Sequence, residues 1–399
     1  MPMCPPFVGA ATSQSTVLNG QIQLGDVFAT QTLDVINVTG TSTMITPATG
    51  NSFSGSVVGG SDAVVTSTQT LGANVSATGT MNVTGSSGTT AISTAATGNS
   101  GEANIFDGGT LTGATIQTVG AFNILALGDY HADLAEADQV VSSSQAIGNS
   151  QGHGVEGSTA VVSVNQSSAA LTQADGGGNL QYTAGSVVFS ALGTSNNVTA
   201  TGIYGSALTV TATQSMTGQR TQASVFAGAG NAQDITAQAT TTGNNISASN
   251  EGNYLEVNAT QTNTAYLKAE ANLSSWEFGS SSAIAYGVGN SVMAGNIGQS
   301  VIVRNNQVNS GGGIEVIAGL SGDTGYDAYS TATAVGNAVT GFACAACDGR
   351  MTVTNSQNNS AEVGAFGGVA VGTSARSVQG VAAATGNTAT FYVTSPTSP

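Results

Sequence analysis

The chain has 399 residues, of which 7% are charged and 40% apolar, and its 21 acidic against 5 basic residues give a net charge of -16. Five scattered cations, Arg220, Lys268, Arg304, Arg350 and Arg376, cannot assemble the Lys/Arg patch that nucleic acid or an anionic lipid surface demands, and no apolar run reaches the roughly 18 residues of a transmembrane helix. Ala and Val dominate the apolar fraction beside 55 Gly in a Thr/Ser-rich background, a mixture that favours strands over helix or disorder.

The first residues, "MPMCPPFVGAATSQ", lack the charged and apolar regions of a secretory signal. We expect that signal upstream of Met1, and Cys4 reads as a lipidated cysteine only if such a segment exists. Residues 1–49 form a degenerate unit, "QTLDVINVTG" at 31 echoing "QTLGANVSATG" at 69, suited to capping a repeat array.

Seven repeats fill 50–385. Their mark is a glycine recurring every 45–50 residues: Gly50, Gly98, Gly148, Gly193, Gly243, Gly289, Gly336 and Gly386. Asn follows directly in all but one; at Gly193 the sequence reads "GTSNN". A fixed period of this length signals a repeat architecture. We read the Gly-Asn pair as a structural corner with the positive-φ backbone those residues accept.

A glutamine lies 18–21 residues after each glycine: Gln69, Gln117, Gln166, Gln214, Gln261, Gln307 and Gln357. Six residues before it stands an apolar residue, and four before it a Val in every unit except at Gly113. Even spacing in a strand puts these on one face, so each Gln points inward at the end of a buried strand. A buried amide without a partner costs about 1–3 kcal/mol, and stacking into a ladder along the repeat axis satisfies it.

Each unit holds about four short β-like runs broken by Gly, Asn and Ser. The fold expected is all-β, a right-handed parallel β-solenoid of seven repeats. Each repeat is either one wide coil, which a direct glutamine ladder needs, or two coils of about 24 residues, which fit the number of turns better; two are expected, giving an axis of about 65 Å at the ~4.8 Å strand spacing. Residues 386–399 form a terminal strand and a disordered tail, "SPTSP".

Catalytic chemistry is thinly represented. The one dense acidic run, "GDYHADLAEADQ", carries Asp129, His131, Asp133, Glu136 and Asp138. A solvated insertion is the plainer reading; Asp129, Asp133, Glu136 and Asp138 are also weak candidates for calcium or for acid-base work on a polysaccharide. The two histidines, His131 and His153, lie in surface-like stretches, too few for a hydrolytic triad. Tyr130, Tyr254, Tyr266, Trp276, Tyr286 and Tyr326 could lie on sugar rings if they project outward, or serve as packing plugs. Cys344 and Cys347 form "CAAC", read as a local disulfide or two inert thiols because zinc ligands and a redox context are lacking.

Gly/Asn corners, strand-end glutamines and the acidic, nearly Lys-free background, with "ATGN" and "AIGN" units spread over 50 to 387, resemble the D component of the holdfast-anchor system of stalked alphaproteobacteria. That resemblance implies a non-enzymatic outer-surface adhesin that fixes the holdfast, an adhesive polysaccharide, to the cell envelope. It implies a curli-like fibre subunit and an outer-membrane secretion-pore lipoprotein as companions, and no cofactor. The alternatives are a polysaccharide-degrading β-helix enzyme and a phage or secreted fibre protein.

Overall fold

The computed structural model describes residues 14–344 and 349–393. Cys4, Cys347 and the "SPTSP" tail lie outside the described residues, as does the side chain of Asp133. The protein is an all-β solenoid in which every recorded strand pairing is parallel. Eight coils stack along one axis, over 15–58, 63–106, 110–156, 159–203, 207–250, 254–296, 300–343 and 350–393. Among the described residues no helix is long and apolar enough to cross a membrane.

Every coil opens with a short strand, such as Ala63–Leu71 or Thr159–Ser168, and these strands build an eight-stranded sheet. A long bent strand follows, such as Leu171–Ile203, and its copies build the second sheet. In the first two coils the long strand is divided, as in Val75–Val83 and Ser86–Phe106. Register runs from coil to coil at the repeat distance: Leu111 pairs with Ala160, Ala160 with Leu208, and Leu208 with Leu255. Each repeat is therefore one wide coil, not the two expected. At ~4.8 Å per coil the axis is about 35 Å long, roughly half the expected length. The miscount arose because the Gly- and Ser-marked breaks inside the long strand are bends within a coil.

The inner faces explain the sequence pattern. Along Ala63–Leu71 the alternate residues Ala63, Val65, Ser67, Gln69 and Leu71 are all buried. Ala63 and Val65 pack with Ile105 and Leu111 in one apolar compartment, whereas Leu71 packs with Val75, Met81 and Ile92 in another. Gln69 stands between the two. On the opposite wall, Ile92 and Ala96 belong to the compartment of Leu71, Ala103 and Ile105 to the other, with Asn99 between. Each Val or Leu so buried is worth about 1.5–3 kcal/mol, and two thin apolar slabs flank a polar seam.

Candidate functional site

The seam is two amide ladders. One runs through Gln21, Gln69, Gln117, Gln166, Gln214, Gln261, Gln307 and Gln357, and from Gln69 onward each Nε2 donates to the Oε1 of the preceding coil at 2.8 Å. The other N–H goes to a backbone carbonyl across the seam, as from Gln166 to Asn197 O at 2.8 Å. The second ladder runs through Asn51, Asn99, Asn149, Asn196, Asn244, Asn290, Asn337 and Asn387. Here Nδ2 donates to the Oδ1 of the following coil at 2.7–2.8 Å and to the short strand, as from Asn149 to Ser167 O at 2.9 Å. The two ladders thus point in opposite directions along the axis. The first-unit Gln21 escaped the sequence reading, although Val17 precedes it by four residues just as Val65 precedes Gln69. The Asn ladder escaped it too, because the Gly-Asn pairs look like turns.

They are not turns of the left-handed kind. None of the eight marked glycines is among the residues with positive φ, which lie between coils at Gly59, Gly60, Asp107, Gly108, Gly109, Gly157, Tyr204 and Gly205 and within coils at Gly177, Gly178, Gly311 and Gly313. At Gly98 and Asn99 two consecutive residues face inward, so the alternation shifts by one, and the glycine brings coils close together. A Cβ on Gly98 would lie 2.5 Å from Gly148 O, one on Gly148 2.5 Å from Ser195 O, and one on Gly336 2.2 Å from Gly386 O. Gly50, Gly243 and Gly289 meet the next coil in the same way, whereas Gly386, in the last described coil, has only the Asn359 amide 3.4 Å away. Gly193 is displaced from this column. It pairs with Ala146 and Thr241, and the place beside the ladder amide Asn196 belongs to Ser195, whose hydroxyl shares a 2.5 Å hydrogen bond with Thr221.

The acidic run lies on a strand. Asp129 is exposed and His131 half-buried, the two paired at 2.8 Å, and Glu136 and Asp138 are exposed further along. Among the described residues no three His, Cys, Asp or Glu side chains come together as a metal site. Cys344 is half-buried. Lys268, Arg304 and Arg376 are each paired with a carboxylate, Glu270, Glu256 and Asp327, so these cations form no basic patch.

His153 does not sit on the surface as its Gly-rich neighbourhood suggests. It is 4% exposed, with Nδ1 3.1 Å from Ala103 O, and burial pulls its pKa from 6.5 down to about 4. The unfolded chain therefore binds a proton that the folded chain refuses, so stability present above pH 6.5 is lost as pH falls toward 4. A shift of this size corresponds to about 3 kcal/mol. Wild type should lose about that much more unfolding free energy than His153→Leu between pH 7 and 4 in denaturant titrations; equal losses would contradict it.

The outward aromatics divide. Tyr130 is fully buried beside Phe189, ring centroids 6.4 Å apart, a packing plug whose hydroxyl burial pushes up to about 12. Tyr254 and Tyr266 donate hydrogen bonds to Glu256 and Glu315, and Tyr286 is 36% exposed. Trp276 and Tyr326 are open, at 62% and 56% exposure, and so is Phe226, at 56%, which the sequence reading passed over.

These three rings mark three adjoining surface hollows on coils 4 to 8. The first, about 680 Å³, is lined by Asn179, Phe226, Gly228, Asn272, Ser274, Gly319, Ser321 and Gly368. The second, about 480 Å³, shares Asn179, Gly228, Ser274 and Ser321 with it and adds Trp276 and Asp323. The third, about 620 Å³, holds Glu277, Gly325 and Tyr326, with the Arg376 guanidinium 5.6 Å from the Tyr326 ring centroid. The floor shared by the first two follows from register: Asn179, Gly228, Ser274, Ser321 and Ala370 are successive partners across five coils. Small residues stacked in one column leave a trough along the axis.

No curated protein and no solved structure matches the chain. The family model described as holdfast attachment protein D matches residues 46–313, from the long strand of the first coil to the short strand of the seventh and two thirds of the chain. The chain therefore belongs to the holdfast attachment protein D family, with a part in holdfast attachment.

Proposed function

We propose that the protein is a non-enzymatic anchor on the outer surface of the cell envelope that attaches the adhesive polysaccharide of the holdfast to the cell. Family membership over most of the solenoid carries this reading. The fold supports it: outward columns repeat every ~4.8 Å along the axis, and linked weak contacts bind far better than single ones. In this reading the protein needs no cofactor and works beside a curli-like fibre subunit and an outer-membrane secretion-pore lipoprotein.

Deleting the gene in the source bacterium tests it. The adhesive should be made in normal amount and shed into the medium under flow, and cells that still hold it would sink the anchor role. Complementation with Asp133→Asn combined with Glu136→Gln should restore retention, because no step depends on those carboxylates.

A further inference from the structure

We infer that the axial trough over coils 4 to 8 is a binding site for a single uncharged glycan chain laid along the solenoid axis, with Phe226 and Trp276 stacking on its sugar rings. The inference rests on the anchor reading and gives it a location.

Exposure of the two rings is the first observation. An aromatic ring on a sheet surface ordinarily packs on its cross-strand neighbours, but Phe226 pairs with Gly177 on one side and Asn272 on the other. Trp276 shares its hollow with Gly230 and Gly322. Both ring faces are thus left open to a ligand, and the apolar C–H face of a pyranose recovers the area that water now covers.

The floor is the second observation. Gly228, Ser274, Ser321 and Ala370 in one column, beside Gly319 and Gly368 in the next, let a flat polymer approach the backbone. Asn179, Asn272 and the serine hydroxyls present both donors and acceptors for sugar hydroxyls. A linear polymer matches a column of small residues held open over coils 4 to 8, whereas a compact ligand would cover only part of its length.

Charge is the third. Asp323 lines the trough and Glu277 the hollow next to it, and the chain carries a net charge of -16. An acidic polysaccharide is repelled from such a surface and a cationic one would be held by salt-sensitive attraction; the open rings and hydroxyl-rich floor assign instead an uncharged glycan held by stacking and hydroxyl contacts.

Trp276 is the only tryptophan of the chain, so its fluorescence reports on the trough directly. The probe is the adhesive polysaccharide shed by the deletion strain, titrated into the full-length protein. A saturable change in Trp276 emission is expected, unchanged at high salt, with alginate giving none. In co-sedimentation, Phe226→Ala with Trp276→Ala should weaken binding at least about tenfold, and Trp276→Phe should keep most of it. Both rings are exposed, so the variants should melt with wild type. If the double variant binds within twofold of wild type, the trough is not the site and the anchor reading stands. If wild type binds no shed adhesive, both fall, and binding that vanishes with salt or is matched by alginate overturns the uncharged-glycan assignment.

Discussion

Replacing Asn149 with leucine is expected to cost the fold about 2–6 kcal/mol, whereas the same change at Asn387 should cost under about 1 kcal/mol. The side chains are similar in size, so the difference lies in what is left behind. Asn149 accepts from Asn99 and donates to Asn196, each at 2.8 Å, and all three are fully buried. Leucine strands one amide N–H and one amide oxygen, each costing about 1–3 kcal/mol where water cannot reach, and also takes the side-chain donor from Ser167 O. Asn387 is exposed in the last coil and accepts only from Asn337, and water can replace it. Denaturant unfolding combined with hydrogen exchange reads both effects, with new opening for Asn149→Leu centred on coils 3 and 4. Equal costs at the two positions would mean that the seam contributes no buried polar energy.

Gly148→Val should cost about 3 kcal/mol or more and Gly205→Ala about 1 kcal/mol. The glycines differ in kind. Gly205 has φ +79° with nothing within 4 Å of a would-be Cβ, so a side chain there meets only the backbone penalty of roughly 1–2 kcal/mol. Gly148 has ordinary φ, but its Cβ would stand 2.5 Å from Ser195 O and 3.2 Å from Ser168 Oγ. A backbone carbonyl in a sheet yields only by parting two coils, and overpacking of this sort costs about 1–3 kcal/mol or more. Ser195 fits at the same place in coil 4, so a small side chain is accommodated once, and a branched one is the sharper test. If Gly205→Ala proves the more damaging, backbone conformation rather than close approach governs the column.

Periodicity made the solenoid and the buried glutamines legible, because Val65 and Gln69 are four apart in a strand and share a face whatever surrounds them. The number of coils was only half legible: a direct glutamine ladder needs one coil per repeat, but the number of turns favoured two. A bend inside a strand and a turn between coils draw on the same residues, Gly, Asn and Ser. Only pairing distance, such as Gln69 on Gln117, separates them. The role of the Gly-Asn pair was misread for the same reason: a glycine chosen for φ and one chosen for contact are the same letter. Trp276 and Tyr326 stood out as candidates by type, but Phe226 did not, since its openness depends on Gly177 and Asn272 lying beside it in other coils. The trough is a column property, and columns are invisible until the register is known.

The opposed directions of the two amide ladders bear on how such a molecule can vary in length. Aligned amide dipoles add, as they do in a helix, and leave partial charges at the two ends. Strand backbones contribute little because their dipoles alternate. A lone glutamine ladder of eight members would give the column a macrodipole that grows with every coil, whereas the asparagine ladder beside it carries the reverse moment, one amide for one amide. The two full-length ladders therefore cancel coil by coil along the axis. Coils that carry both can be gained or lost by duplication without these ladders adding to the field at either end, and coil number is free to follow the reach the cell surface requires.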